Sequence, residues 1–190
     1  MALADKTWKG ISVHEVVLKW LSAERHKDDA KAFWPSLNLP PTVKGLPALL
    51  DSPNLDDGNG NLARQKLLCA TRDLFISHIP FTTIWYRVEF LTDTELSELY
   101  AVNHPDWIDS RDQNELRKVA VRKPLSLNED WSLWEPPILI GHSKNGPFSI
   151  LEGNHRLIAY TGSGQTGLKI PVIVGLSEER CHWSIFDNVG

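Results

Sequence analysis

The sequence predicts an α/β fold of the α+β type, a mixed sheet with helices, and three observations carry that expectation. Short alternating or β-branched runs recur at Ile84–Leu91, Ile138–His142, Pro147–Leu151 and Ile170–Gly175. Pairs with capping-box spacing, Ser12 with Glu15, Thr92 with Glu95 and Ser110 with Gln113, open helices around them. Phe148 to Tyr160 then joins the two kinds of structure. Four strand-like residues run into Glu152-Gly153-Asn154, which is turn chemistry, and a helix follows from His155.

Taken in order, the first helix starts after Ser12 and ends near His26 or Lys27, with Val13, Val16, Val17, Trp20 and Leu21 as its apolar stripe. Five prolines between Pro35 and Gly60, with the Asp56-Asp57-Gly58-Asn59-Gly60 cluster, make a long irregular connection. Asp56 to Asn61 lacks the alternate acids and closing glutamate of a calcium loop, so it reads as a solvated turn before a helix. That helix is expected from Asn61 to Ser77, burying Leu62, Leu67, Leu68, Thr71, Leu74 and Phe75, with Arg64 and Arg72 on other faces, where either could reach a phosphate but solvated cations are the default expectation.

Ile84–Leu91 puts Tyr86, Val88 and Phe90 on one face, opposite Arg87 and Glu89. Helices follow from Thr92 to about Val102 and from Ser110 to about Val121, then a Trp-rich loop from Lys123 to Pro137. Ile138–His142 and Pro147–Leu151 pair around Lys144-Asn145-Gly146, since Asn-Gly is a strong hairpin signal. Ile170–Gly175 and Trp183–Phe186 supply the last strands. The expected division is a helical extension over 1–80 and a sheet-bearing core over 81–190.

Composition narrows the class. With 42% hydrophobic and 23% charged residues, the chain has the balance of a folded globular domain rather than a disordered one. Eight tryptophans are expected in the core or on ligand walls, because each buries a large area. Met1 to Lys6 lacks a charged-then-apolar leader pattern and no apolar run approaches a membrane span, so a cytoplasmic protein without membrane partners is expected. Cys69 and Cys181 have neither metal spacing nor the number for a disulfide framework. A net charge of −4 gives no global attraction to nucleic acid, so any DNA contact must use a local patch; the basic run is Arg111, Arg117, Lys118, Arg122 and Lys123.

The chemistry concentrates at the turn. A strand, a glycine turn and a helix N-terminus hold anions well, because the first helical amides lack intrahelical acceptors and the macrodipole adds positive charge. Gly153 permits a close backbone approach, and Arg156 in the first turn offers a forked cation for phosphate oxygens. Glu152 at the strand end could take a proton or position Mg²⁺; the alternative is an exposed turn acid. His155 would hydrogen-bond phosphate or shuttle a proton, or else steady the turn. For Arg156 the alternative is a salt bridge to Glu152, and both can hold in the unliganded protein.

Gly153, Arg156 and Ala159 match the Gly-x-x-Arg-x-x-Ala signature of the ParB/sulfiredoxin superfamily, and Glu152-Gly153-Asn154-His155-Arg156 resembles its Asp/Glu-Gly-x-His-Arg variant. The Gly162–Gly167 loop, the Ile170-Pro171-Val172-Ile173-Val174 strand and Pro136-Pro137-Ile138-Leu139-Ile140 upstream are similar to the surroundings of that signature. The resemblance spans roughly the C-terminal 110 residues, a domain-sized block. Size and pattern are also similar to the plasmid oncogenic-suppression branch, which hydrolyses nucleotides and cuts DNA. Asn154 stands where a sulfiredoxin carries its cysteine, which argues against that chemistry.

What the resemblance implies is binding of ATP or another nucleoside triphosphate, with Mg²⁺, at Gly153, Asn154 and Arg156. It makes the strand after Glu135 a wall of the site. Glu135 is then either a second carboxylate for catalysis and metal beside Glu152, or a loop acid. Lys123, with Arg122 and Arg117, borders the pocket or is a solvated cation. Three functions stay open: a nucleotide hydrolase with DNase activity, a small-molecule (serine-type) kinase, and a nucleotide-sensing inhibitor of a protein partner. The first leads, because a carboxylate at a phosphate cradle is unnecessary for binding alone.

Overall fold

The computed structural model describes residues 3–25, 45–101, 135–167 and 171–179, together with 27, 30, 32, 34–36, 38 and 169. The helix expected after Ser110, most of the Trp-rich loop, the strand at Trp183–Phe186, Cys181, His26, His104 and His182 lie outside the described residues. The chain separates into two compact units, Ile11–Ser77 and a discontinuous one of Met1–Gly10 with His78–Gly190.

The Ile11–Ser77 unit is helical. Its α1 (Val13–Glu24) starts where the Ser12 hydroxyl accepts the Glu15 amide at 3.2 Å. A 3-10 turn (Trp34–Ser36), α2 (Leu46–Leu50) and α3 (Gly58–Ile76) follow. Helix α1 packs on α3, and α2 touches both. Val16, Val17, Trp20 and Leu21 are buried as expected, but Val13, at the very start of the stripe, is 46% exposed.

Helix α3 begins at Gly58, not at Asn61. Asp57 is its cap and accepts the Asn59 amide at 3.1 Å, which gives the acidic turn a local task. The buried stripe therefore runs through Gly60, Asn61, Ala63, Arg64, Leu67 and Leu68. Leu62 lies on the opposite side of this 3.6-residue period and is 47% exposed.

Both arginines of α3 differ from the solvated expectation. Arg64 is 1% exposed and donates to the Leu49 carbonyl at 3.1 Å, the Asn54 carbonyl at 3.0 Å and Asn61 Oδ1. Burial lowers its pKa and Asp57 opposes that shift. Arg72 sits at a kink (φ −136°, ψ 23°) and grips both carboxylate oxygens of the buried Glu24, to which Lys27 also donates at 2.8 Å. A buried carboxylate needs such pairing, because an unpaired charge away from water is costly.

The other unit is a five-stranded mixed sheet with helices, as expected. Its strands are β1 (Trp8–Gly10), β2 (Ile84–Val88), β3 (Ile138–Gly141), β4 (Phe148–Glu152) and β5 (Val172–Leu176), in the order β1-β2-β5-β3-β4. The β3–β5 pair is parallel and the others are antiparallel. The sequence reading has no strand at β1, which pairs with β2 across the whole intervening helical unit. Strand β2 stops at Val88, so Phe90 is no part of its face and is 42% exposed.

The β3–β4 hairpin forms around Asn145-Gly146, with the Gly146 amide on the Ser143 carbonyl at 3.1 Å and Gly146 at φ 70°. Helix α4 (Asp93–Ser97) has the full capping box between Thr92 and Glu95. It is shorter than expected, because the chain then extends and Tyr100 bridges to Ser149, covering the β4 edge. Helix α5 (Asn154–Gly162) follows β4. Val88, Leu139, Phe148, Ile150, Val172 and Val174 from the sheet pack with Leu96, Leu157, Ile158 and Tyr160 from the helices in one core. Among the described residues, no helix is long and apolar enough to cross a membrane.

Candidate phosphate-binding turn

The turn from β4 to α5 is built by one extra residue and one glycine. Leu139 pairs with Ile150, but Ile138 pairs with Glu152, so Leu151 is an added residue on β4. Cross-strand partners share a face, so this bulge sets Glu152 beside Ile138 instead of with Leu139 and Ile150. Gly153 then caps α5 in the left-handed region at φ 98°, ψ 10°, and its carbonyl accepts the Leu157 amide at 2.9 Å. A Cβ on Gly153 would lie 3.2 Å from Pro137 Cβ. The close approach that needs glycine here is therefore made by Pro137 of the same chain.

Around this turn the expected site residues fall as follows. Arg156 donates from Nη1 to the Glu135 carbonyl at 2.9 Å and from Nη2 to Glu152 Oε1 at 3.1 Å. The two charged side chains retain only 14% and 12% of their exposure, so the pair is shielded more than a surface bridge. Glu135 joins the group through its backbone oxygen. Asn154 is buried, and its Nδ2 reaches back to the Ile150 carbonyl at 3.2 Å, tying the first residue of α5 to the strand. His155 is exposed at the second position of the helix. Lys123 and the basic residues Arg111, Arg117, Lys118 and Arg122 lie outside the described residues.

Chemically, the turn brings together the Arg156 guanidinium, the Glu152 carboxylate and a helix N-terminus whose cap offers no side chain. A phosphate arriving there would meet the positive end of the helix and compete with Glu152 for Arg156. Among the described residues, no three His, Cys, Asp or Glu side chains gather to hold a metal ion. The carboxylate at the turn is Glu152. One or two carboxylates fit Mg²⁺ that arrives on nucleotide phosphates, since that ion keeps waters and takes few protein ligands.

The sequence reading missed Asp93, which buttresses the far end of α5. Its Oδ1 accepts the buried Tyr160 hydroxyl at 2.7 Å and its Oδ2 accepts the Gly167 amide at 2.9 Å. Asp93 lies inside the Thr92 capping box, so its sequence signal reads only as a helix start. Cys69 is exposed with a free thiol, whose pKa is raised by burial and by Asp73.

No family model, no curated protein and no solved structure matches this chain.

Proposed function

We propose that the β4–α5 turn binds the phosphates of ATP or another nucleoside triphosphate and that the chain hydrolyses it. The observation that carries this reading is Arg156, held in the first turn of a glycine-capped helix with a carboxylate one helical turn behind it. The likeness of Glu152–Arg156 to the ParB/sulfiredoxin signature agrees with it.

In this reading Arg156 exchanges Glu152 for a phosphate oxygen and keeps its bond to the Glu135 carbonyl. Glu152, released from the ion pair, takes a proton from the water that attacks the terminal phosphorus. The phosphorus–oxygen bond to the leaving diphosphate breaks, and His155, exposed beside the site, hydrogen-bonds or protonates the departing oxygens. Glu152, and Glu135 beside it, would hold Mg²⁺ arriving with the nucleotide, and the ion would supply neutralisation of phosphate charge. DNA cleavage would be a further activity reached through Arg117, Lys118, Arg122 and Lys123. It would match the plasmid oncogenic-suppression branch that the sequence resembles.

A second reading is favoured by the ion pair itself. Arg156 and Glu152 satisfy each other, so Glu152 has a structural task without catalysis. The protein would then be a nucleotide sensor acting on a partner. A panel of ATP, CTP, GTP and ADP with Mg²⁺ separates the readings, scored by calorimetry and by product, with and without DNA or serine. Phosphate release supports the hydrolase, phosphoserine the kinase, and binding without turnover the sensor. No binding to any of them overturns the phosphate site.

A further inference from the structure

A cleft of about 490 Å³ opens at the end of the sheet away from the β4–α5 turn. Strands β3 and β5 run parallel and end there at Gly141 and Leu176, whereas β4, antiparallel to β3, carries Glu152 to the opposite end. The floor is apolar. Ile84 and Tyr86 of β2 and Leu176 of β5 continue the face that packs Val88, Val172 and Val174 into the core, and Ile84 is still 60% exposed. The helices that cover the Val88 end leave the Ile84 end open.

The walls of this cleft are polar and ordered. The Thr82 hydroxyl donates to Glu179 Oε1 at 3.0 Å, and the Glu179 amide donates to Ser177 Oγ at 3.2 Å. His142 donates from Nδ1 to the Ser177 carbonyl at 3.0 Å, a role the carbonyl imposes, which leaves Nε2 as the acceptor of the neutral ring. Glu178 and Glu179 are exposed, and among the described residues neither is paired with a lysine or arginine. Lys144 is placed over the Trp8 ring at 4.9 Å and the Tyr86 ring at 5.9 Å.

We infer that this cleft is a binding site for a small organic cation, an ammonium or guanidinium group on an apolar stem. The stem replaces water over Ile84, Tyr86 and Leu176, and the head donates to the Glu178 and Glu179 carboxylates and to His142 Nε2. The volume lies in the range of small-ligand sites, and apolar walls with a few placed polar groups are their usual make-up. An anion would meet the same carboxylates as repulsion, so the selectivity has a definite sign.

The test titrates three probes of one shape, isopentylammonium, isopentanol and isovalerate, into the full chain while amide and aromatic NMR signals are followed. The expected result is saturable shifts at Tyr86 and at 177–179 with the ammonium, weaker ones with the alcohol and none with the carboxylate. Glu178→Gln with Glu179→Gln, both at exposed positions, should weaken the ammonium roughly tenfold, as for loss of charge-assisted hydrogen bonds, and leave the alcohol unchanged. Thr82→Val, which frees Glu179 from its hydrogen bond, should alter the ammonium alone. Equal binding of ammonium and alcohol, no saturation by either, or an unaffected double variant would each overturn the assignment.

Discussion

The Arg156 guanidinium stands 3.1 Å from Glu152 Oε1, one helical turn back, and both side chains are largely shielded from water. Arg156→Ala removes one ion-pair partner of Glu152 and one donor to the Glu135 carbonyl. The fold should lose roughly 1–3 kcal/mol, read by urea unfolding. Glu152→Gln keeps a hydrogen-bond acceptor for Arg156 and should cost less. If the turn is catalytic, Glu152→Gln lowers turnover by on the order of a hundredfold while nucleotide binding holds or tightens. Arg156→Ala should weaken binding about tenfold to a hundredfold. Equal losses in both variants would make Glu152 a structural residue.

Much of the sheet unit was legible in the sequence, for reasons that can be named. Asn145-Gly146 specified the β3–β4 hairpin, and Thr92 with Glu95 specified the start of α4, because both signals are local. Strand β1 was not legible. Three residues cannot show an alternation, and their partner lies beyond the helical unit. The Leu151 bulge was also hidden, since it is a property of the pairing and leaves no mark on β4 alone. Arg64 reads as a surface cation until its partners are known. Two of those, the Leu49 and Asn54 carbonyls, belong to distant backbone with no side-chain signature.

Gly153→Ala tests how tightly the turn is fixed. The substitution puts a side chain at φ 98° and a Cβ 3.2 Å from Pro137. A loss of about 1–3 kcal/mol in thermal or chemical unfolding is expected, because non-glycine residues are strained in that region. A neutral result would show that the turn rearranges freely, which would undercut a preorganised phosphate site.

Arg64→Met should be among the most damaging changes in the helical unit. Methionine fills part of the volume but leaves the Leu49 and Asn54 carbonyls and Asn61 without their donor. A loss of roughly 2–4 kcal/mol is expected in chemical unfolding of the full chain. Stability unchanged from the parent would mean that water replaces the guanidinium at low cost.

The Glu95 carboxyl gives a pH dependence. Burial pushes its pKa up, but the Thr92 amide, Lys6 and the Thr92 hydroxyl outweigh that and hold it below the usual carboxylate range. A folded pKa below the unfolded one stabilises the protein above about pH 4.3, the ordinary glutamate value, and that stability fades as pH falls through the folded pKa. Glu95→Gln should therefore flatten the acid limb of a stability-versus-pH curve. An acid limb of unchanged slope would assign the loss to other carboxylates.

Strand β1 has a consequence for the order in which the molecule is made. It precedes the helical unit in the chain, yet β2, its neighbour in the sheet among the described residues, follows the whole of Ile11–Ser77. The helical unit can therefore mature while Trp8–Gly10 still waits for a partner. A nascent chain halted with Ser77 clear of the ribosome and β2 still inside it should hold folded helices while Trp8 lacks its Tyr86 neighbour, and docking of Trp8 against Tyr86 should be a late event of synthesis.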